Sequence, residues 1–165
     1  MPQRHFAIIL EASDWFEAAL SGRIDTAHSP PNMRPNMKYL EEGDPVLVFT
    51  IRERKFAGEL RFKEAREVKH DEFVANYRIR AFVTKNAHFP STGDNCWIMV
   101  FDEVTEYQNK ISEEDMQVFH DFRRIRFIFH RRGFQLLTEK YWDSVRERIR
   151  KLGQVERIIR PRIGN

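Results

Sequence analysis

The 165-residue chain has one cysteine, Cys96. A single thiol excludes an internal disulfide and any multi-cysteine metal site. No apolar run approaches the ~18 residues of a membrane-crossing helix. The first residues lack the apolar core of a signal peptide, so a cytoplasmic location is expected. There is no Gly-rich phosphate loop and no G-x-S-x-G turn to expose a serine nucleophile. The six histidines show no ligand spacing such as H-x₃-H, and no internal repeat is present. These absences remove the common signatures of serine hydrolases, nucleotide-phosphate binders and metalloproteins. No cofactor and no metal are expected.

What is present is a mixed, strongly charged composition. Hydrophobic residues make up 41% and charged residues 32% of the chain, enough for one soluble domain with a single core. The net charge of +3 hides an asymmetry. Residues 118–165 hold 13 Lys and Arg against 5 Asp and Glu, and the rest hold 15 against 20. A basic end of this kind suits a polyanionic partner, or is a solvated surface and nothing more.

Periodicity sets out the elements. "RHFAIIL" (Arg4–Leu10) reads as a buried strand. "SDWFEAALSG" reads as a helix with Ser13 as cap, Trp15, Ala18 and Ala19 on one face, and Gly22 as stop. Arg23–Met37, with three prolines, reads as a long loop. Gly43-Asp44-Pro45 is a turn. It leads into Val46–Ile51, apolar on both faces except at Thr50 and so expected to be a central strand. After the basic tip carrying Arg52, Arg54 and Lys55, residues Phe56–Phe62 alternate as a half-buried strand. Within it, Gly58 marks a bulge or a close approach. Tyr77–Val83, Cys96–Val104 and "RIRFIF" are further strand candidates, and "HRRG" is a second basic turn. Ser112 with Asp115 forms a capping box. "TEKYWDSVRERIRKLG" reads as a helix burying Tyr141, Trp142, Val145, Ile149 and Leu152, stopped at Gly153. The expected class is α+β: a small curved mixed or antiparallel sheet flanked by helices. Residues 1–153 form the expected domain, and 154–165 a basic, frayed tail or linker.

Three stretches, "SDWFEAALSGR", "LEEGDPVLVFTIRERKFAGELRFKEA" and "CWIMVFDEV", resemble the PUA-like superfamily, especially its EVE and YTH branches. The resemblance spans Arg4 to Leu152. It implies a pseudo-barrel whose concave side holds a flipped base, often methylated (N6-methyladenine, for example), in an aromatic cage. Similar domains form the DNA-targeting ends of McrB-type modification-dependent restriction systems, where a nucleotide-hydrolysing motor domain follows. One position departs from the pattern. Family members often place a Trp just after the Gly that ends the first helix, where this chain reads Gly22-Arg23-Ile24-Asp25. Either another residue supplies that wall (Phe89, His88, Tyr39 or Trp97) or the ligand differs.

The candidate base-binding residues are therefore Ser13, Asp14, Tyr39, Thr50, His88, Phe89 and Trp97. The candidate phosphate contacts are Arg34, Arg52, Arg54, Lys55, Arg123, Arg124, Arg131 and Arg132. Trp15 and Trp142 lie on apolar helix faces and are expected in the core, and Trp97 shares a strand face with Met99 and Phe101. Ser13 and Asp14 serve equally well as helix caps, and Thr50 as a bonded core hydroxyl. Such a domain would be non-catalytic, with nucleic acid as partner (DNA ahead of RNA) and no membrane. An RNA-binding member of the superfamily is the alternative. A metal-dependent nuclease comes next: Asp44 followed by Glu59-Leu60-Arg61 falls short of its motif, because arginine cannot act as a base. A module binding an acidic protein is also open. Cys96, on an apolar strand, is expected to be inert.

Overall fold

A computed structural model of the chain describes residues 6–29, 39–82, 95–124, 133–137 and 142–163. In chain order the elements are β1 (Phe6–Glu11), α1 (Ser13–Leu20), β2 (Thr26–Ser29), β3 (Pro45–Thr50), β4 (Lys55–Lys69) and α2 (His70–Asn76). They continue with β5 (Asn95–Ser112), α3 (Glu113–Met116), α4 (His120–Arg124), β6 (Gly133–Leu137), α5 (Trp142–Gly153) and β7 (Val155–Ile159). All seven strands join one sheet in the order β2-β5-β4-β3-β1-β6, with β7 also pairing β5. The β1–β3 pair is parallel and the other pairs antiparallel. Among the described residues no pairing joins β6 to β2 or β7, so the sheet curves without closing. The α+β class and the curved mixed sheet flanked by helices are as the sequence led us to expect. No helix among the described residues is long and apolar enough to cross a membrane.

Alternation along the inner strands explains why the sheet is covered on both faces. Ile9, Val46, Val48, Leu60, Met99 and Phe101 meet the apolar face of α1, namely Trp15, Phe16, Ala18, Ala19 and Leu20. Ile8, Leu10, Leu47, Phe49 and Phe56 point the other way, onto Met116, Phe122, Trp142, Val145 and Ile149. Each of these large side chains contributes roughly 1.5–3 kcal/mol by leaving water. β3 is central, as its two-faced apolar pattern requires. A third cluster, Val68, Phe73, Cys96, Ile98 and Val100, covers the far half of β4 and β5 under α2.

Curvature comes from β4 and β5, whose pairing shifts register between Phe56 and Gly58, Arg61 and Phe62, and Phe62 and Glu64. Extra residues on one strand bend it and increase its twist. At Gly58 a Cβ would lie 2.0 Å from the Thr105 carbonyl oxygen and 2.7 Å from Phe16 Cζ, so β5 and α1 approach as only glycine permits.

Several expectations are corrected. Residues 77–82 form tight turns, not a strand. Tyr77 and Ala81 are buried while Ile79 is 84% exposed, a spacing of four that belongs to a turn. The amide of Ala81 donates to the Tyr77 carbonyl. Val83 lies outside the described residues. Ser13 does not cap α1: it is the first helical residue, after Ala12, and Asp14 Oδ1 instead accepts from the Trp15 amide. The Arg23–Met37 loop contains β2, which pairs with β5 because its backbone groups find an open edge there. The expected frayed tail instead adds β7 to β5, with the Arg162 amide donating to the Gly22 carbonyl. Leu152 is 45% exposed and does not join the buried stripe of α5. One half of the capping box is formed, with Ser112 Oγ accepting from the Asp115 amide at 3.0 Å. Residues 125–129 of "RIRFIF", and Tyr141, lie outside the described residues; the strand after the basic turn is β6.

Candidate nucleic-acid interface

The sheet topology sorts the candidate residues to different places. At one end, β1 finishes beside β3 with Glu11 opposite Thr50, and the Ile51 amide donates to the Glu11 carbonyl. Ser13 and Asp14 therefore open α1 next to the β3–β4 hairpin. Lys55 pairs with Ser112 at the end of β5, from which α3 and α4 follow. α4 is seated there by Phe122 against the Phe56 ring. Gly133, the first residue after the segment carrying Arg131 and Arg132, pairs with Leu10 at this same end. Arg131 and Arg132 themselves lie outside the described residues.

The cations at this end are partly neutralised. Arg54, at φ +55°, reaches Glu113 through Nη2, and Lys110 bonds Glu53 at 3.1 Å. Arg124 Nε donates to His120 Nε2 at 3.2 Å. Arg52, Lys55, Arg123 and Arg124 make no ion pair with a described residue, and remain the groups there with charge to offer. Thr50 is 1% exposed and donates to the Lys55 carbonyl at 3.2 Å. Of its two open roles it fills that of a bonded core hydroxyl closing the hairpin.

The aromatic candidates are elsewhere. Trp97 is opposite Glu67 of β4 and Ser29 of β2, partly buried against the α1 core. Lys55 to Glu67 is roughly 40 Å of extended strand at ~3.3 Å per residue, so Trp97 and Thr50 cannot wall one socket. Tyr39 is half exposed and precedes the turn into β3. His88, Phe89 and Arg34 lie outside the described residues; their segments join the sheet at Ser29 and Asn95. Trp15 and Trp142 are core, at 5% and 1% exposure. Ile24, at the position where a Trp was missed, is buried under α1. Beside it, buried Asp25 accepts a two-pronged bond from Arg80 at 2.8 and 2.7 Å. The middle of the sheet is thus filled by the protein's own side chains, and no aromatic cage is assembled from the described residues.

Sequence reasoning missed the most concentrated polar cluster. Glu59 was read as an outward residue of a half-buried strand, yet it is 4% exposed. Tyr107 Oη donates to its Oε2 at 2.7 Å, Arg146 Nε to its Oε1 at 2.7 Å, and Arg150 Nε lies 3.0 Å from Oε2. Burial, and then Glu59, push the Tyr107 hydroxyl well above its ordinary range, so it stays a donor. The available signal was the Arg146–Arg150 pair, one turn apart beside the buried stripe of α5. Buried, and with three donors on its two oxygens, the Glu59 carboxylate is already committed within the fold and is poorly placed to hold a metal as the nuclease reading requires. Among the described residues no group of three acidic, His or Cys side chains is placed to hold an ion. Burial pushes the Cys96 thiol up to about 11, which fits an inert core residue.

Comparison with solved structures places the fold. The chain superposes on ASCH from Zymomonas mobilis with a TM-score of 0.65 at 10% identity, covering 86% of this chain and 94% of that one. Human THYN1, solved in complex with DNA containing 5-methylcytosine, gives 0.54 at 11% identity, with 93% and 100% covered. The N-terminal domain of Staphylothermus marinus McrB gives 0.53 at 11%, with 87% and 93% covered. No protein-family model and no curated protein sequence matches. The chain therefore shares its fold with these three proteins over most of its length.

Proposed function

We propose that this PUA-like chain is a non-catalytic nucleic-acid-binding domain that recognises a flipped, modified base in DNA and targets a McrB-type restriction complex. The observation that carries the reading is the fold, shared over nearly the whole chain with a protein solved on 5-methylcytosine DNA and with a McrB N-terminal domain. Phosphates would be met at the hairpin end by Arg52, Lys55, Arg123 and Arg124, with Ser13 and Asp14 beside them to meet a base edge. Arg54 joins only by exchanging Glu113 for a phosphate. Phe89 and His88, on the segment that joins the sheet at Asn95, remain the proposed ring contacts, for a base other than one met by Ser13 and Asp14.

Extruding a base costs a few kcal/mol, offset by stacking at about 1–3 kcal/mol per base and by bonds to its edge. Enclosing a methyl group adds only about 0.8 kcal/mol, so selectivity must also come from disfavouring the plain base. Arg and Lys contacts to phosphate would supply most of the affinity and make it salt-sensitive.

The test is a binding panel of duplexes carrying 5-methylcytosine, N6-methyladenine or no modification, with matched RNA, at two salt concentrations. Tighter binding to one modified duplex, weakening with salt, is expected. Preference for RNA would move the reading to an RNA-binding PUA-like domain. Equal affinity for every probe would overturn base recognition, and reproducible cutting with Mg²⁺ would revive the nuclease.

A further inference from the structure

We propose that the cleft between α5 and the middle of β4 and β5 is a phosphate-binding site, separate from the hairpin end. Its inner part, about 190 Å³, has Glu59, Arg61, Glu103, Arg146 and Arg150 as its charged lining. It shares Arg146 and Arg150 with a wider cleft of about 640 Å³ that adds Lys151 together with Asp143 and Glu147. The inner volume suits one phosphate group and falls short of the ~300 Å³ typical of pockets that enclose a whole small molecule.

Glu59 anchors two guanidiniums on one carboxylate, each through Nε. A guanidinium carries five N–H donors in a rigid fork, so the terminal N–H groups of both arginines are left for a ligand. They have no partner among the described residues. The side chains of Arg146 and Arg150 are 28% and 42% exposed, against 5% for the Glu59 that anchors them. Arg61, Arg146 and Arg150 face Glu59 and Glu103 across the inner part, which leaves one surplus cation. Arg61 is held at the rim by Asp102 and Glu103, at 2.7 and 3.1 Å. Paired forks held in fixed directions match the oxygens of a phosphate.

The phosphate is either free or part of a nucleic-acid backbone, and the second source alone rests on the function proposed above. The experiment follows the Arg146 and Arg150 Nε–Hε signals by NMR during titration with inorganic phosphate, with chloride at matched ionic strength, and then with a short single-stranded oligonucleotide. Saturable shifts with phosphate and none with chloride are expected. Lys151→Gln should weaken phosphate binding about threefold, as loss of an exposed charge contact does. Glu59→Gln keeps the shape, removes the opposing charge and should tighten binding by a similar factor. A clamp without a ligand predicts no tightening. If Glu59→Gln does not fold, the wild-type and Lys151→Gln titrations decide. Absence of a saturable phosphate shift, or weaker binding by a folded Glu59→Gln, overturns the site. An oligonucleotide that binds without moving these signals assigns the cleft to free phosphate if phosphate does move them, and removes the cleft if it does not. Phosphate binding with no oligonucleotide binding keeps the cleft and removes the nucleic-acid reading.

Discussion

Replacing Gly58 by alanine measures how closely the sheet and α1 are built together. The added Cβ would lie 2.0 Å from the Thr105 carbonyl oxygen and 2.7 Å from Phe16 Cζ. A carbon and a carbonyl oxygen normally stay about 3.3 Å apart or more, so β4 and β5 must separate by over ~1 Å. Forcing a methyl into a packed site costs about 1–3 kcal/mol. Loosening one or two ladder bonds beside Glu59 and Thr105 adds about 0.5–1.5 kcal/mol each. The sum, roughly 1.5–6 kcal/mol, is a large part of the ~5–15 kcal/mol of a typical domain. Urea unfolding reads it directly: with a slope of about 1–3 kcal/mol per molar, the midpoint should fall by about 2 M. Gly43→Ala is the control. Its φ of +93° is strained for alanine, but no atom lies within 4 Å, so the loss should be only about 1 kcal/mol. Equal losses at the two positions would refute the close approach.

Other perturbations separate the hairpin end, the ring contacts and the core thiol. Arg52→Ala with Arg123→Ala should weaken binding to all sequences alike and reduce the salt slope by about one unit for each phosphate no longer neutralised; an unchanged slope removes the hairpin end from the interface. Phe89→Ala should weaken binding to a modified oligonucleotide more than to its plain control, and equal losses would show that Phe89 walls no pocket. Stability should fall between about pH 9 and about 11, because the Cys96 thiol is held protonated in the fold while the unfolded chain can ionise it. Cys96→Ala should remove that part of the decline in urea midpoint, and an identical alkaline profile would show that the thiol is not buried as described.

Much of this fold was legible because the inner strands obey simple rules. Ile8, Ile9 and Leu10, and the run from Val46 to Phe49, face two cores and so read as apolar throughout. β4 and β5 were read too short, because bulges at Phe56–Gly58 and Phe62–Glu64 break the two-residue period used to trace them. Residues 77–82 imitate a strand locally. Their turn is held from far away, by Asp25 on Arg80 and by the Asp25 and Thr26 amides donating to the Arg80 carbonyl. No local pattern carries that information. The charge asymmetry was read as an invitation to a polyanion, yet part of it is complementary within the chain. Arg146 and Arg150 meet Glu59, Arg157 meets Glu106, and Arg160 approaches Glu103. Glu59 looked solvent-facing because the helix that covers it arrives more than 80 residues later in the chain.

The claim that a modified base is taken out of the duplex can be put to one measurement. A 2-aminopurine placed beside a 5-methylcytosine or N6-methyladenine reports unstacking as a rise in fluorescence when protein is added. Base extrusion predicts a saturable rise on the preferred modified duplex and little change on its plain counterpart. Tight binding to the modified duplex without any rise would contradict it.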